Sequence, residues 1–102
     1  MEEQNLLFDW DPIKARSNLR KHKIAFEEGK SVFGDPLASI IDDPDHSTPE
    51  EERFVILGQS DKNRILVIIF TDRNLDANTI VVKIISARLA DRLERKNHEE
   101  GT

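Results

Sequence analysis

Six consecutive apolar residues, "ILVIIF" at 65–70, stand between Arg64 and Thr71. No alternate position is polar, so a strand built from this run has no face to give to water. It must lie at the centre of a sheet, covered on both sides. The rest of the fold is read outward from this requirement. "SDKN" at 60–63 is a hairpin turn, and residues 52–59 before it form the paired strand. "LASIID" at 37–42 predicts another strand, separated by the acidic loop "DPDHSTPEE" at 43–51. Beyond a loop containing Asn74, Asp76 and Asn78, "TIVVKIIS" at 79–86 predicts a fourth strand of this group.

The N-terminal third has a different period. "NLLFDW" at 5–10 is a short apolar run suited to a first strand. Asp11 then offers an N-cap and Pro12 a first helical residue. The spacing predicts a helix over 12–22 with Ala15, Asn18, Leu19 and His22 on one face. A second short helix follows over 26–33, burying Phe26, Gly29, Val32 and Phe33, and "GDP" at 34–36 ends it. The helical period returns at 87–97, with residues 98–102 read as a frayed tail. The order β-α-α-β-β-β-β-α predicts a small α+β domain spanning 1–102, with a mostly antiparallel sheet.

The chain has 20 carboxylates against 15 Lys and Arg, a net charge of −5. Its cations are nevertheless gathered: "KARSNLRKHK" at 14–23 holds five of them, one histidine and no acid. Arg88, Arg92, Arg95 and Lys96 are spaced to form a second stripe on the predicted last helix. Lys83 sits between Val81 and Ile85 in its strand, which implies a partly open sheet face. Arg53, Arg64 and Arg73 flank strands. Such clusters suit a phosphodiester backbone, whose counterions they displace, although a solvated helix face also looks this way. There is no Cys, which excludes disulfides and thiolate metal sites. His46 lies among carboxylates, but the 42–52 segment has no zinc or calcium spacing and reads as a surface loop. There is no Gly-rich phosphate loop and no evident Ser triad. The N-terminus lacks a signal-peptide pattern and no apolar run is long enough to span a bilayer, so a cytoplasmic protein that needs no cofactor or membrane is expected.

Four stretches taken together resemble the BrnT family of type II toxins: "FDWDPIKARSNLRKHKIAFEEGKSVFGDP" (8–36), "DHSTPEEERFVILGQS" (45–60), "RILVIIFTDR" (64–73) and "KIISARLADRLER" (83–95). The resemblance implies a RelE-like fold and a metal-independent endoribonuclease that inhibits translation by 2′-OH attack on RNA, ribosome-associated RNA included. It also implies a BrnA-type antitoxin that neutralises the toxin and contacts operator DNA in its stead. Carried onto this chain, it gives Lys21, His22, Arg64 and Arg88 as catalytic candidates: His22 to move a proton, Arg64 and Arg88 to clamp phosphate, and Lys21 to support them electrostatically. Lys14, Arg53, Arg73, Lys83 and Arg92 are the RNA-binding candidates, with Glu52 a weaker site position. Trp10 and Asp11 are assigned to packing and capping. Lys23 stands where the family's motif usually continues with Gly. The chain has no Tyr, which the family often carries near its end, so His98 would have to stand in for it. A toxin-like binding module without strong activity is the alternative function.

Overall fold

A computed structural model describes residues 4–100. Its elements are β1 (Asn5–Asp9), α1 (Pro12–His22), α2 (Phe26–Ser31) with a 3-10 turn at Val32–Gly34, β2 (Ser39–Asp42), β3 (Phe54–Gln59), β4 (Ile65–Asp76), β5 (Thr79–Leu89) and α3 (Arg92–Glu100). They build one five-stranded sheet in the order β1-β5-β4-β3-β2. The sheet is mixed, which corrects the mostly antiparallel expectation: β1 runs parallel to β5, while β5-β4, β4-β3 and β3-β2 are antiparallel. A parallel partner cannot be reached through a tight turn, so no local signal announces the pairing.

The apolar run occupies the middle of the sheet, as its composition requires. Leu66, Ile68 and Phe70 point to the helix side, where Ile24, Phe26 and Val32 close the core together with Ile56, Val82, Ile84 and Ala87. Val67, on the other face, is buried as well. Trp10 packs edge-on against Phe26 with ring centroids 5.9 Å apart, and Asp11 Oδ1 accepts the Ile13 N–H at 2.8 Å. Both residues therefore do the packing and capping expected of them. Gly58 permits the close approach of the 3-10 turn: a Cβ there would lie 2.9 Å from both Ala38 Cβ and Val32 Cγ1.

Three boundaries differ from expectation by more than two residues. Residues 72–76 continue β4, and the turn to β5 narrows to Ala77 and Asn78. β5 runs on to Leu89, so Ala87 and Arg88 belong to a strand and not to the last helix. α3 continues to Glu100, which places His98 in a helix where a frayed tail was expected. Leu19 is half exposed and lies outside the buried face of α1, whereas Asn18 is buried.

α1 ends at Lys23, whose φ of 61° is left-handed and whose N–H donates to the Leu19 carbonyl at 3.0 Å. A residue with a Cβ is disfavoured in this conformation by about 1 kcal/mol relative to glycine. The turn that a Gly would make is thus kept, at a cost. We expect Lys23→Gly to stabilise the protein by about 0.5–1 kcal/mol in urea unfolding. An unchanged or lowered midpoint would contradict the left-handed cap.

Candidate nucleic-acid site

β1 covers the edge of β5 only as far as the Asp9–Lys83 pair. Beyond that point α1 takes its place. The Asn18 side-chain amide behaves as a short piece of strand: its Oδ1 accepts the Ala87 N–H at 3.1 Å and its Nδ2 donates to the Ala87 carbonyl at 2.8 Å. The same Nδ2 donates to the Ile24 carbonyl at 3.0 Å, so it also ties down the chain after α1. Without it, three buried backbone groups would lack partners.

This seat sets a shallow depression between α1 and β5, lined by Lys14, Ser17, Lys21 and His22 on the helix and Ile85 and Ser86 on the strand, with Asn18 at its floor. Residues 14, 17 or 18, and 21 or 22 repeat every three or four positions, which brings them onto one helix stripe. No carboxylate lines the depression, and neither lysine is in an ion pair among the described residues. The register shift at Ile69/Phe70 leaves Ile85 as an extra residue in β5. As a result Lys83 (opposite Thr71), Ser86 (opposite Ile69) and Arg88 (opposite Val67) share the sheet face away from the core. Lys14, Lys21 and His22 are therefore brought together, with Arg88 one strand step beyond Ser86.

The arginines expected to clamp phosphate are already engaged. Arg88 Nη1 and Nη2 donate to Glu94 Oε1 and Oε2 at 2.8 and 2.9 Å. Hydrogen bonding to Arg88 holds the Glu94 carboxyl below its ordinary range, and the same bonds raise Arg88. Glu94 also accepts the Asp91 N–H at 2.8 Å while Asp91 Oδ1 accepts the Glu94 N–H at 2.8 Å, a capping box that starts α3. Arg64 lies elsewhere. It stands just ahead of β4, five residues before Ile69, roughly 16 Å away at strand rise. Its Nε donates to Glu28 Oε2 at 2.9 Å and its Nη2 to Glu28 Oε1, while Ser60 Oγ donates to Oε2 at 2.7 Å. The Glu28 side chain is 2% exposed and that of Arg64 35%. The hydrogen bond from Arg64 lowers the Glu28 pKa against the opposing effect of burial.

The remaining candidates are dispersed. Arg73 and Lys83 line a second depression with Asp9, Glu50, Glu51, Glu52 and Asp72, a setting that repels phosphate. Arg53 Nε donates to Glu51 at 3.1 Å. Arg92 is exposed at the start of α3. His98 is buried, with Nε2 2.9 Å from Asp35 Oδ2, and holds α3 to the turn after α2. Burial raises the Asp35 carboxyl, but N–H groups of Gln59 and Leu37 and the His98 ring outweigh it, so its pKa is lowered. His46 bonds Asp43 at 2.8 Å within its loop, and among the described residues no three of His, Asp or Glu converge as metal ligands.

The sequence model of a family described as "Ribonuclease toxin, BrnT, of type II toxin-antitoxin system" matches residues 10–94, a span that takes in α1, the whole sheet beyond β1 and the Glu94 that holds Arg88. The chain belongs to the BrnT family. Its fold is similar to that of the Brucella abortus ribonuclease toxin BrnT in a 1.1 Å crystal structure, at a TM-score of 0.60 and 19% identity, over 87% of this chain and 100% of that one. No curated protein sequence matches the chain significantly. Membership in the BrnT family implies ribonuclease activity in general terms and an antitoxin partner. No helix among the described residues is long and apolar enough to cross a membrane.

Sequence reasoning missed Asn18 as the seat of α1 and Glu28 as the partner of Arg64. Glu94 was readable as an arginine partner from its place beside Arg88, Arg92 and Arg95, and it does pair with Arg88. The capping-box spacing of Asp91 and Glu94 also marks the start of α3.

The Glu28–Arg64 pair gives a test with a definite sign. A carboxylate whose folded pKa is lowered stabilises the fold above its ordinary value of 4.5, and that contribution is lost as pH falls through the folded value. Arg64→Met is expected to cost about 2–4 kcal/mol at neutral pH, less than for a fully buried pair because the guanidinium is partly solvated. The deficit should shrink on acidification, as Glu28 becomes protonated in both proteins. A deficit independent of pH in denaturant titrations would assign Arg64 a different role.

Proposed function

We propose that this protein is a metal-independent endoribonuclease toxin that binds RNA in the α1–β5 depression, inhibits translation in the cytoplasm, and is neutralised by a BrnA-type antitoxin. Its fold is read as RelE-like on the same family resemblance. The observation that carries the reading is the depression itself, with two lysines and a histidine beside two serines and no carboxylate on its lining. An anionic ester is the natural complement of that lining.

In the proposed reaction the ribose 2′-OH attacks the adjacent phosphorus. The 2′-O–P bond forms and the P–5′-O bond breaks, giving a 2′,3′-cyclic phosphate and a 5′-hydroxyl. His22 accepts the 2′-OH proton, and a proton reaches the departing 5′-oxygen from His22 or from water. Lys14 and Lys21 hold the non-bridging oxygens and offset the charge that develops on them. Arg88 joins them when a phosphate replaces Glu94, which already supplies two carboxylate oxygens in the geometry a phosphate would use. Arg64 enters this reading as the residue that anchors α2 through Glu28. Arg53, Arg73, Lys83 and Arg92 are left as peripheral contacts.

A second reading, a binding module with weak or no activity that acts beside the antitoxin, is favoured by the engagement of both Arg64 and Arg88 by carboxylates. Purified protein incubated with RNA in chelator, with and without ribosomes, separates the two. The enzyme reading expects 2′,3′-cyclic phosphate ends, a loss of about 10²–10⁴-fold in His22→Ala, and a smaller loss in Lys21→Ala, both with unchanged thermal stability. Wild-type protein that neither cuts RNA nor slows growth on induction would leave the binding module.

A further inference from the structure

β2 ends the sheet, and among the described residues only β3 pairs with it. The Asp43 N–H donates to the Arg53 carbonyl at 2.9 Å, which fixes the phase of the ladder. Alternation from that bond turns the N–H and C=O groups of Ile40 and Asp42 away from β3. Every residue of β2 is exposed, and Ile40 and Ile41, which point to opposite faces, are exposed at 57% and 64%. An edge with free backbone groups and large apolar side chains on both faces is a template for another strand.

Two features define what would fit there. On the helix side, Ile40 borders an apolar hollow shared with Leu6, Phe33, Phe54, Phe70 and Ile80, whose only charged lining group among the described residues is Asp72. On the chain around the edge, residues 35–52 hold seven carboxylates and no Lys or Arg, leaving thirteen carboxylates against fifteen Lys and Arg in the remainder. The net negative charge of the protein thus lies in the segment that contains this strand. Such a surface repels nucleic acid. It also opposes pairing with a second copy, because that would set two seven-carboxylate segments side by side.

We propose that β2 is a docking edge for an extended segment of a protein partner, a strand that alternates apolar and basic side chains. Its backbone pairs with Ile40 and Asp42. Its apolar side chains fill the hollow on the Ile40 face, and its cations, on the opposite face, meet Asp43 and the 50–52 carboxylates. This contact is separate from the basic depression and holds whether or not that depression cuts RNA.

Amide exchange of the full-length protein tests the proposal, with a short synthetic peptide of alternating Val and Lys as the probe. The Val–Lys peptide should slow exchange at Ile40 and Asp42 roughly tenfold or more at saturation, with binding weakened by added salt. A peptide of alternating Val and Glu should have no such effect. Glu50→Lys combined with Glu52→Lys, both at exposed positions, should weaken the Val–Lys peptide roughly tenfold while the melting temperature stays put. Equal protection by both peptides, protection away from β2, no protection up to millimolar peptide, or self-association through this edge in sedimentation would each overturn the proposal.

Discussion

Where β1 stops pairing with β5, the side-chain amide of Asn18 continues the edge. This substitution of a side chain for a strand is the constraint from which the rest follows. Packing alone would let α1 slide along β5, because Ala15 gives it only a small apolar contact and Leu19 is half exposed. Three hydrogen bonds in a buried setting remove that freedom, since breaking them strands groups that water cannot reach. They fix the helix in register with Ala87, and register is what sets Lys21 and His22 beside Ser86. The bulge at Ile85 then turns Lys83, Ser86 and Arg88 to the same face.

Charge is distributed by the same fold into regions with different roles. Arginines are drawn to carboxylates that can receive both N–H groups, and the helices supply two: buried Glu28 of α2 for Arg64 and the capping-box Glu94 of α3 for Arg88. These pairs join helices to strands, so they answer structural needs first. The lysines of α1 are left without carboxylate partners among the described residues because their stripe contains no acid and faces a strand that presents serine. The positive segment of an otherwise acidic protein is therefore a surface kept clear of counter-charges, and the excess acid lies in the segment 35–52 that contains β2.

Much of this was legible in local sequence. "ILVIIF" demanded a central strand, the Asp11-Pro12 pair started α1 at the correct residue, and Phe26 and Val32 were recognisable as core. What was hidden depends on pairing between distant residues. The parallel β1–β5 contact joins the first strand to the last, so neither segment carries a sign of it. The stretch 87–97 suggested a helix because its apolar spacing fits one, yet Ala87 to Leu89 finish a strand whose partner, Leu66 to Ile68, lies some twenty residues earlier. Nothing near Arg64 in the sequence points to Glu28, 36 residues before it. The basic residues were thus visible from the sequence, but which of them remain unpaired was decided by tertiary contacts.

The central claim is that the lining between α1 and β5 is where RNA is held. Titrating isotopically labelled protein with a short oligonucleotide that lacks the 2′-OH at its scissile position, and so cannot be cut, tests it most directly. The account predicts that the largest amide and side-chain shifts fall on Lys14, Lys21, His22 and Ser86, and that the Arg88 guanidinium resonance moves as it leaves Glu94. Shifts confined to Arg64 and α3, or to the acidic depression around Lys83, would contradict it.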